Sequence, residues 1–404
     1  MLFKRTRDLK KGLSMYFYKY QSVNTLQMTM LRHGEVFFAS PKELNDMHEC
    51  RPQFIFSGDA EIWSRFIYKI LVMVCINLKL PPESDLAESI ISMKTGVLSS
   101  LLKGRKSKSL DYNTLLKKLD DAFRKNMPPA LNEIQARAIF REFNNYIGTQ
   151  LDEELNENNY MSSFSRSATN LTMWGHYGNA EKGFVIIYES SDGNVKLESD
   201  VKVFHSFDSN PDGTFSFNRS VNTDSKIMSV EYKNKPVRVN GFRRLIYSFI
   251  YSSQESDYDH PETLRSRAIV MDEAHIGWVK YSDWKYEKEL RLHLPVYEEL
   301  PAPIRSIRIN ARHIKGVIFG SRMSEKDKEN IASSCYYLKK TQPDAGELFI
   351  FQANSIPNQY KIKITSIGRV CDIHAPGLPY VENFRKENPH REEANRIADA
   401  INLS

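Results

Sequence analysis

One stretch of the chain, close to residue 290, constrains the fold most because its apolar and charged residues alternate. Its apolar positions are all leucines: Leu290, Leu292 and Leu294. The positions between and just before them are ionisable: Glu287, Glu289, Arg291 and His293. Successive side chains of an extended chain point to opposite sides, so the pattern predicts a β-strand over Glu287–Leu294. The leucines would face a core, and the charged side would face either water, as on an edge strand, or a functional cleft.

Aromatic residues directly before this strand favour the cleft. They are Tyr281, Trp284 and Tyr286. On an exposed strand face, replacing a charged residue changes stability little. We therefore expect the fold to tolerate substitution of Glu287 and Glu289.

Length, composition and charge are those of an ordinary globular protein. The 404 residues are 41% hydrophobic and 26% charged, and they suffice for two domains or for one domain with a large insertion. A net charge of +6 permits an anionic ligand without requiring nucleic acid. The four cysteines are far apart and form no CxxC pair, which predicts reduced thiols in a cytoplasmic protein. We find no secretion signal and no apolar run of membrane-spanning length, so we expect no membrane partner.

The order of the predicted elements divides the chain into a β-rich core and a helical insertion. Helical periodicity dominates residues 60–159, and strands are predicted on both sides of that segment. The predicted core strands are Met15–Lys19, Val36–Ala39, Met161–Ser165, Gly183–Tyr188, Ile227–Tyr232, Glu287–Leu294 and Gly316–Phe319. We expect an α+β protein with a mixed, largely antiparallel core formed by residues 1–59 and 160–370. The insertion would span residues 60–159, and a polar tail over residues 371–404 would carry one helix, from about Arg391 to Leu403.

Two short segments carry further candidate binding residues. A turn after the second predicted strand contains Asn45 and Asp46, which either form the turn and cap a helix or contact a ligand. A short helical segment places Trp174 and Tyr177 one turn apart, on the same side. Between them lies His176, which is either a structural histidine or a general acid or base.

The order of these motifs resembles that of a known bacterial family. The motifs are an opening strand that ends in Tyr18-Lys19-Tyr20, then Leu44-Asn45-Asp46, Ser163-Phe164-Ser165, Met173-Trp174-Gly175-His176-Tyr177, Gly183-Phe184, Val230-Glu231-Tyr232, Trp284 to Arg291 and Val317-Ile318-Phe319-Gly320. In this order they are similar to the bacterial domain-of-unknown-function family 2971. That resemblance implies no activity, so any chemistry must be inferred from the residues.

A second, more remote resemblance is to the ADP-ribosyltransferases. Lys19 stands where that family has a His or Arg on its opening strand. Ser163 and Ser165 resemble its serine-containing strand, although Phe164 replaces the central Thr. Glu287 and Glu289 resemble its Glu-x-Glu strand. The resemblance implies an ADP-ribosyltransferase-like core and NAD as the substrate.

The residue types suit cleavage of the nicotinamide–ribose bond, which passes through an oxocarbenium-like state. Glu289 would stabilise the ribosyl cation through the 2′-hydroxyl, and Glu287 would take a proton from the incoming nucleophile. Ser163 and Ser165 would orient the carboxylate. Tyr20, Trp174 and Tyr177 would sandwich the nicotinamide ring, and Lys19 or Arg291 would hold the pyrophosphate. The other candidates for NAD binding are Asn45, Asp46 and His176.

Three classes of function stay open. The first is an NAD-consuming transferase or glycohydrolase with a macromolecular acceptor or a regulatory partner, which would suit a toxin or an antiviral defence effector. The second is a non-catalytic sensor or adaptor whose aromatic-rich cleft binds a nucleotide or RNA. The third is a metal-dependent nuclease with four carboxylates as ligands: Asp46, Glu49, Glu287 and Glu289. No histidine–aspartate metal spacing accompanies them, and we expect no metal.

Overall fold

The computed structural model describes residues 14–103, 109–129, 131–156, 159–209, 215–242, 245, 273–296, 298–372 and 378–404. Within these ranges the protein is α+β, and most neighbouring strands run antiparallel. The labels below follow chain order over the described residues.

The strands carry the labels β1 to β20. They are β1 Met15–Gln21, β2 Glu35–Phe37, β3 Gln53–Phe56, β4 Leu110–Asp111, β5 Met161–Ser165, β6 Phe184–Ser190, β7 Asn194–Glu198, β8 Phe204–Ser209, β9 Phe215–Ser220, β10 Asn222–Lys226, β11 Met228–Ser229, β12 Glu231–Lys233, β13 Arg238–Asn240, β14 Val279–Tyr281, β15 Glu289–His293, β16 Ser306–Ile309, β17 Ile314–Phe319, β18 Phe349–Ser355, β19 Ile362–Val370 and β20 Val381–Asn383.

The α-helices carry the labels α1 to α8. They are α1 Thr25–His33, α2 Ala60–Asn77, α3 Asp85–Leu102, α4 Tyr112–Lys125, α5 Glu133–Asn156, α6 Leu171–His176, α7 Glu325–Thr341 and α8 Arg391–Leu403. Short 3-10 helices span Pro41–Glu43, Glu273–Trp278, Ser282–Glu287, Ala302–Arg305 and Ala311–His313.

The chain divides into two compact units. The first comprises residues 1–47, 158–234 and 280–404, and the second comprises residues 48–157 and 235–279. Helices α2 to α5 lie in the second unit and bury their apolar residues in a core of their own. That unit also contains residues 48–59, which directly precede the helical segment, and residues 235–279, which lie far beyond it in the sequence.

A nine-stranded sheet forms the centre of the first unit. Its order is β11-β15-β5-β1-β6-β17-β18-β19-β20, and β17 and β18 are its one parallel pair among the described strands. A four-stranded sheet, β10-β7-β16-β2, contributes to the same hydrophobic core. This order places β15 one strand from the edge, with β5 on one side and the two-residue strand β11 on the other.

The two faces of the large sheet are covered by different elements. One face carries Phe17, Phe164 and Leu290, which pack in a single core with residues of α1, α7 and the four-stranded sheet. The other face carries Tyr18 and Tyr20, which pack with residues of α6 and α8. Helix α8 is amphipathic and turns its apolar side to that face, so the polar tail ends in a helix that is part of the core.

Three predicted strands differ from the structure in more than their end residues. The charged strand begins at Glu289, because Ser282–Glu287 is a 3-10 helix and Lys288 has a left-handed backbone with φ 46°. The aromatic residues before Glu289 do not alternate, and the spacing of Tyr281 and Trp284 matches three residues per turn. The strand predicted over Ile227–Tyr232 divides at Val230 into β11 and β12, which belong to different sheets. The strand predicted over Val36–Ala39 is β2, in the smaller sheet, and only a single bridge from Ala39 to Met161 reaches β5.

Candidate functional site

The charged side of β15 is buried. Glu289 is 4% exposed and Arg291 is fully buried, while Glu287, at the end of the preceding 3-10 helix, is 3% exposed. Of the two alternatives for this face, exposure to water is therefore wrong. The expectation that substitution of Glu287 or Glu289 leaves stability almost unchanged assumed an exposed face, and it is wrong as well. Burying ionised groups is unfavourable unless they are paired, so the structure must supply partners.

Lys280 is the partner that joins the two carboxylates. Its Nζ lies 2.7 Å from Oε2 of Glu287 and 3.0 Å from Oε2 of Glu289. The side chain of Lys280 is 9% exposed, so the three charged groups interact with little screening by water. The same Nζ lies 5.0 Å from the centre of the Trp284 ring, which is half-buried beside it.

Other side chains bind the remaining carboxylate oxygens. The Tyr177 hydroxyl donates to Oε1 of Glu287 at 2.7 Å, and Arg291 Nε donates to Oε1 of Glu289 at 2.7 Å. Ser163, on the neighbouring strand, also makes a side-chain hydrogen bond with Glu289. Two carboxylates, one ammonium and one guanidinium give the group a formal charge of zero. We call these six residues the carboxylate cluster: Ser163, Tyr177, Lys280, Glu287, Glu289 and Arg291.

Burial and pairing shift the pKa values of the cluster in opposite directions. Burial raises the pKa of Glu289, and the nearby charge of Lys280 opposes that rise. Burial acts to lower the pKa of Lys280, but the attraction of Glu289 and Glu287 outweighs it and leaves the pKa above its ordinary value. Burial lowers the pKa of Arg291 to about 9. Lys280 therefore carries the positive charge that lets a carboxylate stay ionised at this depth.

The two predicted serines have different environments. Ser163 is half-buried and contacts the Glu289 side chain, as its predicted role requires. Ser165 is buried, and its Oγ donates to the main-chain oxygen of Glu287 at 2.6 Å and accepts from the N–H of Ser167 at 3.1 Å. Ser165 therefore orients the chain at Glu287 and does not contact a carboxylate through these bonds.

Two of the predicted ring-stacking residues are parts of the core. Trp174 is fully buried, and its indole N–H donates to the main-chain oxygen of Ala168 at 2.8 Å. Tyr20 packs edge-on against Trp174 at 5.3 Å and donates its hydroxyl to the oxygen of Ser167. Neither ring offers a face to a ligand in this structure. The expectation that both sandwich a nicotinamide ring is therefore corrected.

The two cations predicted to hold pyrophosphate are instead bound to other groups of the protein. Tyr18 and Glu289 both pair with Ser165 on β5, so they share one face of the sheet, and Lys19, next to Tyr18, points to the other. Lys19 Nζ donates to Oγ of Ser162 and to the oxygen of Ser163, both at 3.0 Å, and desolvation lowers its pKa to about 8. Arg291 is fully buried and engaged with Glu289.

The accessible side of the carboxylate cluster is lined by aromatic residues and by a turn. Trp284 and Tyr286 are half-buried, and the Tyr286 hydroxyl lies 3.1 Å from Nδ1 of the exposed His176. Asn45 is exposed and makes a side-chain hydrogen bond with Tyr177, and Asp46 follows it, half-buried. The predicted turn thus reaches the cluster through Tyr177.

Sequence reasoning missed Lys280 and Tyr232. The hydroxyl of Tyr232 accepts the N–H of Glu289 at 2.7 Å and so holds the first residue of β15. A signal for Lys280 existed, because two carboxylates on a buried strand require a countercharge, but it depended on recognising the burial. Nothing in the local pattern of Val230–Tyr232 indicated the contact of its tyrosine.

The structure also limits what else the described residues can form. Among them, no group of three or more histidine, cysteine, aspartate or glutamate side chains is arranged to hold a metal ion. The helices in the described ranges include none with the length and apolar character needed to cross a bilayer.

Comparisons with known proteins give one match. A family model described as "Protein of unknown function (DUF2971)" matches residues 173–292. The matched segment runs from α6 through the charged strand and includes Tyr177, Lys280, Glu287, Glu289 and Arg291. No curated protein and no solved structure matches the chain.

Proposed function

The chain belongs to the DUF2971 family through residues 173–292, and from this premise we propose that it is an enzyme that breaks the nicotinamide–ribose bond of NAD. The observation that carries the proposal is the pair of buried carboxylates bridged by one ammonium group, with a serine hydroxyl on the second carboxylate. A fixed anion inside a site of low polarity stabilises a developing cation far better than water does. The ribosyl cation is the species that would gain from it.

Glu289 is the group assigned to that cation. Arg291 and Lys280 each hold one of its oxygens, and Ser163 adds a third contact, so its position is fixed before a ligand arrives. Each carboxylate oxygen has two lone pairs, which leaves capacity for the 2′-hydroxyl of a ribose. Arg291 acts as a positioning residue, because it contacts Glu289 and is itself fully buried.

Glu287 is assigned to the nucleophile. As the bond between the ribose C1′ and the nicotinamide nitrogen breaks, nicotinamide leaves as a neutral molecule with the bonding electron pair. A water or an acceptor hydroxyl then bonds to C1′ and transfers its proton to Glu287. The proton on Tyr177 is directed at Oε1 of the same carboxylate at 2.7 Å, which keeps that group oriented.

The aromatic residues assigned to the nicotinamide ring are Tyr177 of the cluster and its neighbours Trp284 and Tyr286, all half-buried. Trp284 and Tyr286 replace Trp174 and Tyr20, whose rings are enclosed in the core. Offset stacking on a tyrosine or tryptophan suits a flat cationic ring, which nicotinamide is until the bond breaks.

A cytoplasmic setting, an ADP-ribosyl acceptor and a role as a toxin or defence effector belong to this proposal as its biological context.

A second function, nucleotide or RNA binding without chemistry, is favoured by a separate observation. The cluster is neutral and each of its carboxylate oxygens already has a partner, which a purely structural network would also show. In that case the aromatic residues alone would bind the ligand, by stacking.

The experiment that tests the proposal is nicotinamide release from NAD by the purified chain. We expect Glu289→Gln to lower turnover by about two to four orders of magnitude with little change in NAD affinity. Glu287→Gln should impair transfer to an acceptor more than hydrolysis by water. Glu325→Gln, at an exposed position of α7, is the matched control and should behave as wild type. Thermal melts of each variant show whether the folded fraction is retained.

The outcomes separate the two functions. Wild-type protein that binds NAD but releases no nicotinamide, with or without candidate acceptors, removes the enzymatic proposal and leaves the binding function. Equal turnover in folded Glu289→Gln keeps an enzyme but removes the assigned site.

A further inference from the structure

A cavity of about 540 Å³ lies on the face of the large sheet that α8 covers. Its lining comes from β1, β6, β17 and α8, with Ser14 before β1 and Ser404 after α8, and it includes none of the residues of the carboxylate cluster. The volume falls within the range of roughly 300–1,000 Å³ that is typical of small-molecule sites. We call it the α8 cavity.

One side of the α8 cavity is aromatic and apolar. Tyr16 and Tyr18, two residues apart on β1, stand side by side on the same face of the strand, and Ile397 of α8 joins them. Tyr16 is half-buried and Tyr18 is 1% exposed, so packing against the protein holds both rings in place at the base of the cavity. Burial, together with the nearby Glu189, raises the pKa of Tyr16 to about 12, so its hydroxyl stays a donor at neutral pH.

Two of the four charged residues that line the cavity are paired with each other. Lys315 Nζ lies 2.9 Å from Oε2 of Glu189, and the Tyr16 hydroxyl is a further hydrogen-bond partner of that carboxylate. These two charges cancel within the wall. They offer little to a charged ligand.

The other two charged residues of the cavity are Glu393 and Arg396. Within the described part of the chain, neither side chain takes part in a hydrogen bond or an ion pair, although both line the cavity. They are three residues apart on α8, so they lie on one side of the helix. Both act on the ionisation of Tyr16, in opposite directions, which places a positive and a negative group close to the same hydroxyl.

We propose that the α8 cavity binds a small zwitterion of the amino-acid type. Arg396 receives its carboxylate, Glu393 receives its ammonium group, and the side chain packs on Tyr16 and Ile397. A simple anion would leave Glu393 unpaired beside it, and a simple cation would leave Arg396 unpaired. A zwitterion satisfies both groups and keeps the charge of the cavity at zero.

The test is isothermal titration calorimetry of the full chain with L-phenylalanine and L-leucine. Two chemically matched ligands serve as controls: N-acetyl-L-phenylalanine, which lacks the ammonium group, and L-phenylalaninamide, which lacks the carboxylate. We expect a free amino acid to bind with a Kd below about 1 mM, and each control ligand to bind at least about ten-fold more weakly.

Variants of α8 identify the site. Arg396→Gln and Glu393→Gln should each weaken binding of the free amino acid by about ten-fold or more. Arg391→Gln lies on the same helix outside the cavity and should bind as wild type. Arg396 is exposed, so its substitution should leave the melting temperature unchanged. No heat of binding for either amino acid at 10-fold the expected Kd, or equal binding by the Arg396 and Glu393 variants, overturns the proposal.

Discussion

Removing Lys280 should destabilise the first unit strongly. Lys280→Met leaves Glu287 and Glu289 buried, with Arg291 as the countercharge that binds Glu289, so the cluster changes from neutral to a net charge of −1. Breaking a buried ion pair by removing one partner costs about 3–5 kcal/mol, because an uncompensated charge remains. Two carboxylates here lose the same ammonium group, so we expect the free energy of unfolding to fall by an amount within that range at pH 7.

A second substitution tests whether charge is the cause. In Lys280→Met/Glu289→Gln, the remaining charges are those of Glu287 and Arg291, and the cluster is neutral again. The double variant should therefore recover about 1–3 kcal/mol relative to Lys280→Met alone, which is the size of coupling seen between groups in one network. Lys328→Met removes the partner of the exposed Glu325 on α7 and should change stability by about 0.5 kcal/mol or less.

The effect of Lys280→Met should also depend on pH. Burial already raises the pKa of Glu289, and loss of the opposing ammonium raises it further. A carboxyl group whose pKa is higher in the folded state contributes its stability below the unfolded pKa and loses it as pH rises through the folded pKa. The deficit of the variant should therefore be smallest near pH 4 and should grow towards neutral pH.

The assay must report on the first unit alone, because a chain with two compact units need not unfold in one step. Urea titrations read by hydrogen exchange of the peptide that contains β15 satisfy this requirement. The charge argument would be refuted if Lys280→Met lowered the free energy of unfolding by less than about 1 kcal/mol. It would also be refuted if the losses caused by the two single substitutions simply added in the double variant.

Three further predictions concern other sites. The pKa of Glu43 is lowered to about 2 by its hydrogen bonds from Arg305, so Glu43→Gln should cost about 0.5–1 kcal/mol above pH 5, and thermal melts should show that difference shrinking as pH falls towards 2. The pKa of Lys19 is lowered to about 8, so folding releases its proton between about pH 8 and 10.5. As pH rises through that interval, the free energy of unfolding of the wild type should increase relative to that of Lys19→Met. A difference between the two that does not change with pH would contradict this prediction. Gly316 has φ +149° and an added Cβ would lie 1.9 Å from the oxygen of Phe349, so Gly316→Ala should cost about 2 kcal/mol or more in urea unfolding, whereas Gly346→Ala, with open space around it, should be near neutral.

Local periodicity was sufficient to predict several of the elements. The strand over Met161–Ser165 and the helix from Arg391 to Leu403 have the predicted bounds, because the first is short and β-like and the second has a clear apolar stripe. The 3-10 helix before β15 was not predicted, since its end depends on the left-handed backbone at Lys288, for which a lysine gives no signal. The membership of strands in one sheet or another, as for β2 and β12, likewise depends on pairing between distant segments.

For the candidate site, the alternation of residue types predicted which side of the strand each residue faces. It did not predict whether that side is buried or exposed to water. The pattern from Glu287 to Leu294 places the two carboxylates opposite the leucines, and the structure keeps Glu289 and Arg291 there. Whether that side meets water is decided by β5, β11 and Lys280, none of which the pattern contains. The same limit explains Trp174 and Tyr20, because an aromatic residue at the end of an element is equally consistent with a cleft wall and with a core.

The depth of the carboxylate cluster sets a condition on any ligand. Glu289 is 4% exposed, so a ribose hydroxyl reaches it only if a covering side chain moves. Lys280 is held by two carboxylates and is a poor candidate for that movement. Trp284 is half-buried and interacts with the cluster through the ammonium group of Lys280, and a ring that stacks on the ligand could replace that contact with one of similar strength. If the proposed function holds, we therefore expect Trp284 to rotate and the Lys280 bridge to stay intact when the ribose enters.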